Sequence, residues 1–164
     1  KPIRDLLDAL KDLGIVLSGD ILDPCAGGDD VNEMSYPSVI GGDIATIDIR
    51  ETAKAQIKGD FLCYDFGDKK FDVVVTNPPF NIAEDIIRKS LSIVKDGGLV
   101  IMLLRLNFFG SKKRKDFWTD NMPMFTFVHR ERISFTGGQT DSIEYMHCVW
   151  KVGAKLDNTK LFII

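Results

Sequence analysis

Apolar positions recur along the chain with two different periods, and the alternation between them lays out the elements. Ile3, Leu6, Leu7, Leu10 and Leu13 lie three and four apart ahead of Gly14, which predicts an amphipathic helix stopping at that glycine. A second stripe of the same period, Ile82, Ile86, Ile87, Leu91 and Val94, is closed by Gly97 and Gly98. Other runs are too short for helices: residues 19–23, Ile44–Asp48, an element ending at 60–63, and Phe71–Thr76 with its β-branched Val73, Val74 and Val75. Residues 99–104 are apolar throughout, so strand, helix and strand follow in the order of a right-handed parallel crossover. Phe125–Val128 and residues 145–152 predict two more strands, joined by a polar, glycine-containing hairpin loop at 134–141. The pattern is that of one doubly wound α/β domain over residues 1–164, with an antiparallel pair at its far edge.

The strand at 71–76 stops abruptly at Asn77, Pro78, Pro79 and Phe80. Each proline lacks an N–H, fixes φ and drives the residue before it out of the α region, so Asn77 is presented extended at a carboxyl end. Its side-chain oxygen and the Pro78 carbonyl can then face a ligand with two N–H donors. Ligands of open parallel sheets bind at such ends, and three others carry unusual residues: Asp23 to Gly28, Asp48, and Asp60 with Phe61. Acidic strand ends suit a nucleoside, because one carboxylate accepts ribose hydroxyls and another an adenine amine. The turn after Asp23 has neither G-x-G-x-x-G nor G-K-[ST], which disfavours a pyrophosphate or triphosphate.

Composition narrows the picture further. With 164 residues, 45% of them hydrophobic, the chain suits a single core. No window reaches the roughly 18 apolar residues of a membrane span, and no secretory signal is recognisable. Cys25, Cys63 and Cys148 are odd in number and widely spaced, as expected of free thiols in the reducing cytoplasm. Neither they nor His129 and His147 have metal-ligand spacing, so no metal site is expected; His129, His147, Cys148 and Trp150 read as packing residues. A net charge of −3 and a pI near 5.4 exclude a molecule that is basic as a whole. Nucleic acid would have to meet a local patch, and Lys112, Lys113, Arg114 and Lys115 form the candidate.

Asp23, Pro24, Cys25, Ala26, Gly27 and Gly28, followed by Asp60-Phe61-Leu62 and by Thr76-Asn77-Pro78-Pro79-Phe80, resemble the class I S-adenosylmethionine-dependent methyltransferases that act on exocyclic amines. The motif order is that of gamma-type DNA adenine-N6 methyltransferases. Residues 34–37, 46–50, 133–138 and 140–142, with Val149 and Trp150, are similar to stretches of small phage and prophage methyltransferases, and the likeness covers residues 20–152. It implies a mostly parallel seven-stranded sheet, with S-adenosyl-L-methionine as cofactor. Asp23, Pro24, Cys25, Ala26 and Gly27 would cradle the methionine part. Asp48 would take the ribose and Asp60 the adenine amine, with Phe61 or Ile49 covering its ring. Asn77, Pro78, Pro79 and Phe80 would hold the reacting amine, Asn77 bordering the cofactor as well. Phe80 and Phe135 would lie against an extruded base, and Arg105, Lys112 and Lys113 would face the nucleic acid, expected to be DNA.

Asp29 stands where the family commonly has a second glycine, and a side chain there could crowd the methionine tail or bind its ammonium. The same corner also occurs in enzymes of guanine N2 in ribosomal RNA and of release-factor glutamine. The glutamine enzymes usually carry Tyr in place of Phe80 and a helical domain before the core. A partner subunit that binds cofactor without catalysis is a further alternative. No stretch is long enough for a separate target-recognition region, so specificity would come from residues 106–122 and 134–142 or from a partner chain.

Overall fold

The structure, a computed structural model, describes residues 1–133 and 143–164. The expected hairpin loop at 134–141, Phe135 and residues 140–142 lie outside the described residues. Among the described residues eight strands form one sheet: β1 (Ile21–Asp23), β2 (Ile44–Asp48), β3 (Ile57–Lys58), β4 (Phe71–Thr76), β5 (Val94–Arg105), β6 (Phe125–Val128), β7 (Tyr145–Lys151) and β8 (Lys160–Ile163). Their order is β3-β2-β1-β4-β5-β7-β6-β8. The first five run parallel, and β7 is antiparallel to both β5 and β6.

The doubly wound class is the one the pattern predicts, but there is one strand more than the seven expected. Parallel to β6, β8 takes the edge of the sheet, so the β6–β7 pair is not at the rim. Phe162 of β8 stacks on Phe127 with centroids 5.2 Å apart, while Leu161 and Ile163 face outward. A four-residue run with so few inward positions leaves almost no period-two signal.

Successive strand residues point to opposite faces and build two cores. On one face Leu22, Val74, Val100 and Met102 meet Ile86 and Ile87 of α3 (Ala83–Ile93). On the other, Ile21, Val73, Val75 and Ile101 meet Leu6 and Leu10 of α1 (Pro2–Asp12). Helix α1 ends where Gly14 turns to φ 76°, and the N–H groups of Gly14 and Ile15 donate to Lys11 and Leu10 carbonyls, both at 2.9 Å. Leu13, expected on the apolar stripe, is therefore the C-cap and is 40% exposed. Val94, expected on the second stripe, opens β5, because the backbone turns extended immediately after α3.

Residues 29–40 contain only the short helix α2 (Ser35–Ile40), the charges before it being unsuited to a longer one. After β5 come two 3-10 turns, Leu106–Gly110 and Lys112–Arg114, and helix α4 (Lys115–Asp120). No helix among the described residues is long and apolar enough to cross a membrane. β2 and β4 flank β1 on its two sides, which makes the β1–β4 boundary the topological switch point.

Candidate active site

A cleft of about 380 Å³ opens at the carboxyl ends of β1, β2, β3 and β4. From the turn after β1 come Pro24, Cys25 and Gly27, and from the ends of β2 and β3 come Asp48, Ile49, Asp60 and Phe61. Asn77, Pro78, Pro79 and Phe80 form the remaining wall. Residues from four separate stretches of sequence thus converge on one concavity.

The glycine turn is dictated by crowding. Gly27 and Gly28 have φ of 67° and 72°, and a Cβ on Gly28 would lie 2.7 Å from Met34 Cγ. The backbone N–H of Gly27 donates to Asp48 Oδ2 at 2.8 Å, tying the turn to the end of β2. Desolvation opposes ionisation of Asp48, but donors from the Arg50 backbone (2.9 Å) and Nε (3.1 Å) and from Gly27 outweigh it and hold the carboxyl below its usual range. Asp48 is therefore an oriented carboxylate at the cleft wall, as a ribose diol requires. The Arg50 guanidinium, 3.4 Å from where a Gly27 Cβ would lie, lines the same cleft and was not singled out from the sequence.

Asp60 caps its own turn, Oδ1 accepting from Leu62 N–H at 2.9 Å. The turn is held by Lys89 of α3, whose Nζ donates to the carbonyls of Leu62 (2.9 Å) and Tyr64 (2.6 Å) and lies 5.2 Å from the Phe61 ring centroid. Nothing local in the sequence marks Lys89, since its partners are 25 and 27 residues away. Phe61 is packed into the core, whereas Ile49 is 67% exposed at the opposite wall. A buried ring and an exposed aliphatic side chain across one cleft suit a flat heterocycle.

Asp23 and Ala26 do not line the cleft but lie beneath it, both buried. Asp23 accepts the Thr76 hydroxyl at 2.6 Å and the Cys25 N–H at 3.2 Å, which pins β1 to β4 at the switch point. Burial raises its pKa to about 7 against those two hydrogen bonds, with the Asp48 charge adding to the rise. Burial likewise pushes the Cys25 thiol up to about 12, so it is a neutral wall group and no nucleophile. Asp29 turns away into a local cap, its Oδ1 accepting from the N–H groups of Val31 (2.9 Å) and Asn32 (2.8 Å).

At the corner after β4, Asn77 Oδ1 is buried and has no hydrogen-bond partner. The Pro79 carbonyl is taken by Ile82 N–H at 3.1 Å, whereas the Pro78 carbonyl has no partner among the described residues. Two adjacent acceptors are thus left open at the cleft. Phe80 packs beside Tyr145, with centroids 5.7 Å apart, and beneath the Arg105 guanidinium at 4.6 Å. Among the described residues Arg105 meets the site through this ring, and Lys112 and Lys113 are exposed on the second 3-10 turn, outside the cleft.

The cleft lies at the switch point of a doubly wound fold, with no phosphate loop and with acidic strand ends. Solved structures share that fold. A Listeria monocytogenes protein proposed to be a class I S-adenosylmethionine-dependent methyltransferase matches 99% of this chain at 14% identity and TM-score 0.64. The M protein of the type I restriction enzyme EcoKI matches 88% at 15% identity and TM-score 0.62. A Pyrococcus horikoshii protein proposed to be an RNA methyltransferase matches 90% at 16% identity and TM-score 0.60. The chain spans 64%, 44% and 82% of these three. No family model and no curated protein matches the sequence.

Proposed function

We propose that the protein binds S-adenosylmethionine in the switch-point cleft and transfers its methyl group to an exocyclic amine, N6 of adenine in DNA. The observation that carries this is the pair of unpartnered acceptors, Asn77 Oδ1 and the Pro78 carbonyl, beside a cleft built for a nucleoside. Asp48 takes the ribose hydroxyls, Asp60 the adenine amine, and Ile49 and Phe61 enclose the cofactor's ring. Pro24, Cys25 and Gly27 border the methionine part, and Asp23 and Ala26 support that turn from below.

The cofactor supplies an electrophilic sulfonium methyl. An adenine amine is a weak nucleophile because its lone pair is delocalised into the ring. Asn77 and the Pro78 carbonyl accept its two N–H bonds, draw the nitrogen toward tetrahedral geometry and localise that lone pair. No strong base is needed, since the amine becomes acidic only on methylation. Holding the reacting atoms in line is worth about 7 to 11 kcal/mol of the barrier in favourable cases. Phe80, fixed by Arg105 and Tyr145, stacks on the base, and about 1 to 3 kcal/mol of stacking is comparable with the few kcal/mol that base extrusion costs.

Lys112 and Lys113 stand exposed on the turn after β5 and supply phosphate contacts, while Phe135 is assigned to the base only by resemblance. The match covers 44% of the EcoKI M protein, and the reading of sequence falls to a further chain or segment. Calorimetry with S-adenosylmethionine, followed by tracing of its tritiated methyl into DNA, RNA and protein, tests the proposal. The expected result is binding with label in DNA; label confined to RNA or protein overturns the substrate, and absence of binding overturns the whole.

A further inference from the structure

A second cavity of about 340 Å³ shares Asn77 with the first and is lined as well by Tyr36, Ser35, Leu103, Ile133 and His147. Direct transfer needs donor and acceptor on opposite sides of the moving methyl. Asn77 borders both cavities, so an acceptor held by Asn77 can occupy this one while the donor fills the first. Phe80 belongs to the same small cluster as Leu103, Ile133 and Tyr145 and so bridges the two.

Behind the second cavity runs a buried chain that the mechanism leaves unused. Tyr36 Oη lies 2.8 Å from His147 Nε2, and His147 Nδ1 lies 2.7 Å from His129 Nε2; the three residues are 2%, 0% and 6% exposed. Burial holds both imidazoles below their usual range, so each carries a single N–H, and the chain has one direction. If Tyr36 donated to His147, its oxygen would offer the cavity only lone pairs. If His129 donates to His147 and His147 to Tyr36, the Tyr36 O–H is left to donate outward.

Chemistry of the acceptor chooses between them. Once Asn77 and Pro78 have taken both amine hydrogens, adenine presents only the acceptors N1, N3 and N7. A group that reads the ring must therefore donate. We propose that the second cavity takes the acceptor base and that the Tyr36 hydroxyl, oriented by His147 and His129, donates to one of its ring nitrogens. Tyr36 is then a specificity-determining residue and the two histidines are positioning residues. The inference rests on the amine-methylation proposal.

The test uses DNA duplexes of one sequence in which adenine is replaced by 1-deaza-, 3-deaza- or 7-deazaadenine. Wild type is expected to lose about ten- to a hundredfold in kcat/KM on one analogue through the missing hydrogen bond, beyond its loss on the other two. Tyr36→Phe should lose a similar factor on ordinary DNA, lose nothing further on that one analogue, and keep its cofactor affinity within about twofold. His147→Gln, which retains a polar atom facing Tyr36, should keep the discrimination, and His147→Leu should abolish it. Equal losses of Tyr36→Phe on all three analogues would overturn the inference and leave the methylation proposal standing. A wild type that binds cofactor yet methylates no adenine would overturn that proposal itself.

Discussion

The chemistry concentrates on single atoms, and Asn77 Oδ1 is the clearest of them. Buried and unpartnered, it costs free energy in the folded chain that a substrate amine would recover. Asn77→Ala should keep cofactor affinity within about twofold and lower transfer by at least about a hundredfold, as read by calorimetry and single-turnover labelling. Asp23 gives a second test. Its folded pKa of about 7 lies above the 3.8 of an unperturbed aspartate, so its stabilising contribution is complete below pH 3.8 and is lost as pH rises through 7. Asp23→Asn mimics the protonated form and should match wild type in thermal denaturation near pH 4. By pH 8 it should be the more stable protein by up to about 4 kcal/mol. Equal stability at both pH values would show that Asp23 is ionised at no cost. From sequence, Asp48 and Asn77 were legible because they sit at the ends of short apolar runs. Asp23 was legible as a motif member but not as a buried strut, since burial of a carboxylate depends on the neighbouring strand.

Elements were read well where their period was long. Helices α1 and α3 and strands β2 and β4 fall where the apolar spacing puts them, because one whole face of each is buried. Edge elements were not: β3 is two residues long and β8 four, each with too few inward positions to show a period. The contact between α3 and the Asp60 turn was equally invisible, although it sets one wall of the cleft. Lys89→Met keeps the packing on Phe61 and removes both hydrogen bonds to the turn. It should weaken cofactor binding about tenfold, with a change in melting temperature of a few degrees at most. Unchanged affinity would mean that the turn holds its shape without α3.

Over the whole molecule, a net charge of −3 means that any polyanion must be met locally. The side chains of Lys112 and Lys113 make no hydrogen bond or ion pair within the described residues and remain available. Replacing both with Ala should weaken binding to any DNA sequence alike and flatten the plot of log affinity against log salt by about 2, whereas an unchanged slope would make the turn a solvated face. The central claim is chemical, and nucleoside mass spectrometry addresses it most directly. DNA incubated with S-adenosylmethionine and wild-type protein, then digested, should contain N6-methyldeoxyadenosine that is absent when Asn77→Ala is used. Methylation of another base or of protein, or equal N6-methyladenine with both proteins, would contradict the account.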